Sequence, residues 1–252
     1  MRTFKDIPYL SEPHERAYLD LYLPDGEVNG VLVYFHGGGI YAGSKFLYEF
    51  LPPLVEKDGI ALVLPNYRLY PNAKFPEYLY DAAAACAWTK DHISEYADLK
   101  SENICISGSS AGGYISMMLY FDEKYLSSYG ASVKDFGGYI FDAGQPTTHF
   151  SVLKYDYKTD SRKILVDEAS PLYHIKDYDG QPPVFILASD HDMHGRLSQT
   201  HVLIDTMKHF SYPDDKVTFK LMENTTHCSY VRSPEFADIL RPFLDKIKKQ
   251  IK

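Results

Sequence analysis

Gly108-Ser109-Ser110-Ala111-Gly112 puts a hydroxyl at the centre of a Gly-x-Ser-x-Gly pattern, between the apolar run NICIS (103–107) and the stretch SAGGYISMMLYF (110–121). A strand that turns directly into a helix through such a pentapeptide can present its central serine in a tight, exposed bend. The flanking glycines are needed because side chains two residues either side of the serine would strike neighbouring backbone. A serine at a helix start also meets the positive end of the peptide dipoles, which favours a developing negative charge. Ser110 is therefore the candidate nucleophile, and Ser109, one residue short of the centre, the weaker one.

A serine nucleophile needs a base and an acid that orients it, and one known arrangement carries them in the chain order Ser, acid, His. Ser189-Asp190-His191-Asp192 follows the apolar run PVFILAS (183–189) and offers two acids. Asp192 is the choice, because the first residues past a strand are more often spent on the turn, where Asp190 could cap or brace the loop. His227 follows KVTFKLM (216–222) and the polar segment ENTT, and combines that position with the right chain order. His36-Gly37-Gly38-Gly39 comes directly after GVLVYF, where residues without side chains let backbone amides face a site. The amides of Gly37, Gly38 and Ala111 are the expected oxyanion hole. A phosphate loop is the poorer reading of these glycines, since no Gly-Lys-Ser/Thr follows. Asp190, His191, Asp192 and His194 bear on a metal, but four such residues in five positions need not converge on one ion, and no HExxH helix is present. No metal and no cofactor are expected.

These residues need a scaffold, and the chain supplies a rhythm of strand and helix. AYLDLYLP (17–24) alternates like an antiparallel strand, while GVLVYFH (30–36) and IALVLPN (60–66) are continuous apolar runs suited to strands buried on both faces. SKFLYEFLPPLVEKDG (44–59) has the length of a helical crossover. The Ala-rich segment 75–96 predicts a helix with Pro76 in its first turn. Further strands are expected at 103–107, 137–143, 183–189 and 216–222, and helices at 110–121, 195–210 and 233–252, the last opened by Ser233, Pro234 and Glu235. Alternation of this kind implies the α/β class: a mostly parallel central sheet with helices on both faces, and sites beyond the carboxyl ends of the strands. Segment 144–181 breaks the rhythm and is expected as a short insert over the site. No repeat or linker marks a boundary, so residues 1–252 are expected to form one domain.

Of the 252 residues, 45% are apolar and 24% charged, an ordinary globular balance. The net charge of −8, with basic residues scattered, argues against nucleic acid as a partner. The N-terminal segment lacks the basic start and apolar core of a secretory signal, and no stretch reaches the roughly 18 apolar residues of a membrane span, so a cytoplasmic location without membrane contact is expected. Cys86, Cys105 and Cys228 fit reduced thiols. The 22 tyrosines fit strand propensity, or a site rim that must be apolar yet able to hydrogen-bond.

HGGGIYAGS (36–44), LPNYRLYPNAKFPEYLYDAAAACAW (64–88) and GSSAGG (108–113) resemble the hormone-sensitive-lipase-like esterases and their bacterial carboxylesterase relatives. ASPLYHI (169–175) with PPVFILASDHDMH is similar to the capless bifunctional feruloyl and acetyl xylan esterases, whose acid aligns with Asp192. The similarities span about residues 20 to 235. They imply the α/β-hydrolase fold and ester hydrolysis through an acyl-enzyme, without cofactor. Asn66 stands where the family usually has Asp, with Arg68 read as structural, and Ser109 stands where Asp or Glu is common. His36 comes too early for the N-terminal cap helices of many lipase-like members, so esters other than long-chain lipids are expected as substrates.

The expected partner is a small-molecule ester. With cover from the insert, Phe150, Tyr155, Tyr157 and Tyr173 would wall a shallow pocket for a short acyl group, acetyl on a sugar being one example. Equally, they would pack the insert against the sheet. Two other functions stay open: an arylformamidase or amidase using the same three residues, and a non-catalytic ligand receptor on the same fold.

Overall fold

The computed structural model describes residues 1–248. Its sheet has eight strands: β1 (Arg2–Pro8), β2 (Tyr18–Leu23), β3 (Gly30–Phe35), β4 (Ile60–Pro65), β5 (Ile104–Ser109), β6 (Gly138–Asp142), β7 (Val184–His191) and β8 (Val217–Thr226). Their order is β1-β2-β4-β3-β5-β6-β7-β8. β1 and β2 are antiparallel to their neighbours and β3 to β8 are parallel, so the α/β class with a mostly parallel sheet holds. The helices are α1 (Leu51–Glu56), α2 (Glu77–His92), α3 (Ala111–Phe121), α4 (Lys124–Ser127), α5 (Arg196–His209) and α6 (Phe236–Leu244).

The apolar runs of the central strands are explained by burial on both faces. In β3, Val31, Val33 and Phe35 pack with residues of α2, α3 and α5 on one face. Leu32 and Tyr34, pointing the other way as strand periodicity requires, pack with residues of α1 and α6. The same alternation sends Ile104 and Ile106 of β5 to the first face and Cys105 to the second. The strand ends at Ser109, where Ser110 begins the bend into α3.

Four elements differ from their sequence-based outlines. β1 is unannounced, because an edge strand with almost every residue exposed carries no apolar alternation. The crossover at 44–59 is a 3₁₀ turn at Lys45–Tyr48 followed by a short α1, whose Pro52 and Pro53 are tolerated only in its first turn. β8 runs on through Glu223–Thr226, which had the composition of a loop, because Asp190 accepts the amides of Asn224 and Thr225. The closing helix spans Phe236–Leu244, shorter than its expected 233–252, of which 249–252 lie outside the described residues. The 144–181 insert holds a π-helical turn at Val152–Asp156 and a 3₁₀ turn at Pro171–His174.

A buried ion cluster pins the edge pair to the loop after β3. The Lys45 ammonium, 2% exposed, donates to Asp20, which is fully buried, and to Asp6, which is 68% exposed at the bulge of β1. Removing one partner of a buried pair leaves a desolvated charge, whereas an exposed carboxylate contributes little. Asp20→Ala should therefore destabilise the chain by about 3 kcal/mol or more and Asp6→Ala by less than about 1 kcal/mol, as measured by urea unfolding.

Candidate active site

Ser110 sits between β5 and α3 with φ 57° and ψ −111°, a region that residues with side chains rarely adopt. Two contacts make the bend possible. A Cβ on Gly112 would lie 2.0 Å from the carbonyl oxygen of Phe35, and one on Gly108 would lie 2.6 Å from the same atom. No side chain fits either gap. The Ser110 amide donates to the Asp142 carbonyl (2.8 Å), tying the bend to the end of β6.

The structure brings Ser110, His227 and Asp192 together. The Ser110 hydroxyl lies 2.8 Å from His227 Nε2, and His227 Nδ1 lies 2.6 Å from Asp192 Oδ1. With Nδ1–H donating to the carboxylate, Nε2 is left as acceptor for the serine proton, the tautomer that a base at this position needs. Asp192 also accepts the Met193 amide (2.6 Å), which fixes its rotamer. Asp190 has a different task. Beyond the two β8 amides it accepts His191 Nδ1–H (2.8 Å), and these bonds, the Asn224 amide first, hold its carboxyl down at about 2. It braces the end of β8, one residue before His227. With Asp190 and Asp192 so engaged, no three His, Cys, Asp or Glu among the described residues are grouped to hold a metal ion.

The amides expected to form the oxyanion hole are not equivalent, Gly37 differing from the others. That amide donates to the Tyr48 hydroxyl (3.2 Å), whereas among the described residues the amides of Gly38, Gly39 and Ala111 donate to no group. The available donors are thus the second and third glycines of the motif with the first amide of α3, which has no partner within the helix. Sequence reasoning passed over Gly39 because nothing local reveals that a tyrosine eleven residues on occupies the first amide.

The loop is held by groups that carry no motif. Arg16 donates to the carbonyls of Tyr67 (2.6 Å) and Gly43 (2.9 Å) and lies 3.3 Å from His36 Nε2. His36 Nδ1 donates to the Gly37 carbonyl (2.7 Å), and its ring stacks on Tyr67. Burial keeps this imidazole neutral, with its pKa pushed down to about 3, so Nε2 is free to accept from Arg16. Asn66 accepts the Lys45 amide (2.8 Å), while Arg68 pairs with Asp81 (2.8 Å), in keeping with a structural role. From the insert, Ser151 donates to the Gly39 carbonyl and the Phe150 ring lies against Gly39.

Beneath the serine, Asp142 is fully buried and accepts hydroxyls from Ser109 (2.7 Å), Tyr34 (3.2 Å) and Tyr230. Ser109 is thereby engaged under the sheet end rather than presented beside His227. Beside Asp192 a cavity of about 560 Å³ is lined in part by Phe150, Met193 and Gln199. The other aromatics expected to wall a pocket lie elsewhere. Tyr155 stacks on Tyr70, Tyr157 is 40% exposed, and Tyr173, 60% exposed, packs edge-on against His174. Of these three only Tyr155 packs the insert against another segment, while Tyr157 and Tyr173 face solvent.

Residues 32–127 match a family described as alpha/beta hydrolase fold. The chain has the α/β-hydrolase fold. A truncated carbohydrate esterase from gut microbiota superposes on this hydrolase-fold chain with a TM-score of 0.82 at 18% identity, covering 98% of this chain and 96% of the other. A butyrate-bound esterase from Thermogutta terrifontis does so with a TM-score of 0.74 at 20% identity, covering 96% and 93%. In sequence, the chain is 28% identical over 229 residues to a probable carboxylic ester hydrolase, LipM, of Mycobacterium tuberculosis, covering 82% of this chain and 52% of the relative. It is 28% identical over 120 residues to an acetyl esterase of Salmonella typhi, covering 46% and 37%. The hydrolase-fold chain thus spans about half the length of the first relative, and the match to the second covers a little over a third of it. Among its described residues no helix is long and apolar enough to cross a membrane.

The buried Asp142 makes a pH prediction. Burial lifts its pKa from 3.8 to about 6, against the hydroxyls that favour the ionised form. Between those values the folded state holds a proton that the unfolded state has released, so stability falls as pH rises from about 4 to about 6, by up to about 3 kcal/mol from this group. Urea unfolding across that range should give a smaller fall for Asp142→Asn than for the parent chain.

Proposed function

We propose that the chain is a serine carboxylesterase acting on small esters with short acyl groups through an acyl-enzyme, acetylated carbohydrates being one class of substrate. The observation that carries this reading is the unbroken line from Ser110 Oγ through the His227 ring to Asp192, at 2.8 and 2.6 Å, beside unengaged backbone amides. The names of the similar proteins, an acetyl esterase, a carbohydrate esterase and an esterase with butyrate bound, support it.

In this mechanism Ser110 Oγ attacks the ester carbonyl as its proton passes to His227 Nε2. Asp192 steadies the imidazolium through Nδ1–H. The carbonyl oxygen gathers charge as the carbon becomes tetrahedral, and the amides of Gly38, Gly39 and Ala111 supply fixed dipoles for it, each such donor contributing about 3 kcal/mol in comparable sites. Collapse expels the alcohol, which takes the proton from Nε2. Water then repeats the sequence on the acyl-serine, with Nε2 as base, and releases the acid. Burial keeps His149 neutral, its pKa well below the ordinary imidazole value, so it adds no positive charge near His227 at neutral pH.

Ser110→Ala, with unchanged melting temperature, and His227→Ala, with the fold retained, should each lower kcat/KM on a nitrophenyl ester by at least about a thousandfold, and Asp192→Asn by less. A fluorophosphonate probe should label Ser110 in the native chain and not in Ser110→Ala. Full turnover by Asp192→Asn with a crippled Asp190→Asn would reverse the roles assigned to the two acids. On a series of nitrophenyl esters from acetate to decanoate, kcat/KM should peak at four carbons or fewer; a maximum at eight or beyond would remove the short-acyl assignment.

A further inference from the structure

The cavity beside Asp192 differs in charge from the chain that contains it. The sequence holds 34 acidic against 26 basic residues, yet the cavity is lined by Arg162, Lys163, His194 and Arg196 together with neutral residues, and none of its lining residues is acidic. Its cations are not equivalent. Arg162 is exposed and already paired with Asp160 (2.6 Å). Lys163 donates to the hydroxyl of Thr159 (2.8 Å) and also lies in the field of Asp160. Arg196 is 3% exposed and donates to the Ala143 carbonyl (2.5 Å) and to Gln145 Oε1 (3.2 Å), both neutral acceptors. The carboxylate that acts on it through space is Asp192, which is engaged by His227. A desolvated guanidinium without a carboxylate of its own is costly to maintain, and an incoming anion relieves that cost.

The backbone adds to the same field. Arg196 is the first residue of α5, a 14-residue helix with Gly195 before it, no side-chain cap and no acidic residue in its first turn. The Arg196 amide donates to the Met193 carbonyl (2.9 Å), and the positive end of the helix dipole opens beside the buried Arg196 with no acidic residue in the first turn to offset it. Phe150, whose ring lies against Gly39, and Met193, whose amide donates to Asp192, both line the cavity, so it reaches the glycine loop on one side and the acid loop on the other.

We propose that this cavity binds a carboxylate carried by the substrate, so that the preferred ester is anionic, with Arg196 and Lys163 as its specificity-determining cations. This rests on the esterase reading given above. The test uses two pairs of esters, each an acid against its primary amide: 4-acetoxyphenylacetate, with the charge on the alcohol side, and mono-4-nitrophenyl adipate, with the charge on the acyl side. In at least one pair kcat/KM should favour the acid by about tenfold or more at low ionic strength, and the ratio should shrink as salt screens it. Lys163→Gln, at an exposed position, should cut that ratio at least about threefold. No preference for the acid in either pair, or a ratio untouched by Lys163→Gln, would overturn the proposal. If none of the four esters is cleaved, the esterase reading fails and the cavity is judged by thermal melting instead. There, 4-hydroxyphenylacetate raising Tm more than its amide supports the carboxylate site, and equal shifts overturn it.

Discussion

The Phe35 carbonyl occupies the place where a side chain on Gly112 would begin, 2.0 Å away, and this close approach governs the geometry around Ser110. α3 can start against the end of β3 only if its second residue has no Cβ, and the strand can leave β5 for that helix only if Gly108 has none. Between them Ser110 is forced to positive φ, with its amide spent on Asp142 and its hydroxyl turned toward His227. A strained residue of this kind persists because its surroundings over-determine it. Here those surroundings are the two central parallel strands, each buried on both faces.

Around this point the protein arranges two layers of polar support. One lies below, where Asp142 gathers hydroxyls from β3, from the end of β5 and from Tyr230 of the segment after His227. A single buried carboxylate thus ties together the segments that deliver the serine, the glycine loop and the histidine. The other lies to the side, where Arg16 joins three carbonyl and ring acceptors of the glycine loop and its neighbours. Neither layer touches the place where a substrate carbonyl would sit. Both hold the spacing of groups that do.

Much of this was legible in the sequence where the cause is local. The Gly-x-Ser-x-Gly bend, the glycine loop after β3, the apolar runs of the buried strands and the chain order of Ser110, Asp192 and His227 all follow from nearby residue types or from position after a strand. What depends on contacts between distant segments was not. The engagement of Gly37 by Tyr48, the extension of β8 through Glu223–Thr226 under Asp190, and the spread of Tyr155, Tyr157 and Tyr173 away from the cavity are set by partners that periodicity does not reveal. β1 escaped for the opposite reason, since a strand at a solvent-facing edge buries too little to impose a pattern. Arg16 and Asp142 belong to no motif, and only their three-dimensional partners single them out.

The hydroxyl of Ser151 on the Gly39 carbonyl means that insert and glycine loop are one mechanical unit, joined at the very peptide whose neighbouring amide stays free. Exchanging the insert for a larger cap from another hydrolase, as one would to admit bulkier esters, cannot treat it as a detachable roof. A graft that omits a donor at that point frees the Gly39 peptide to rotate, so chain length and rate would change together rather than separately.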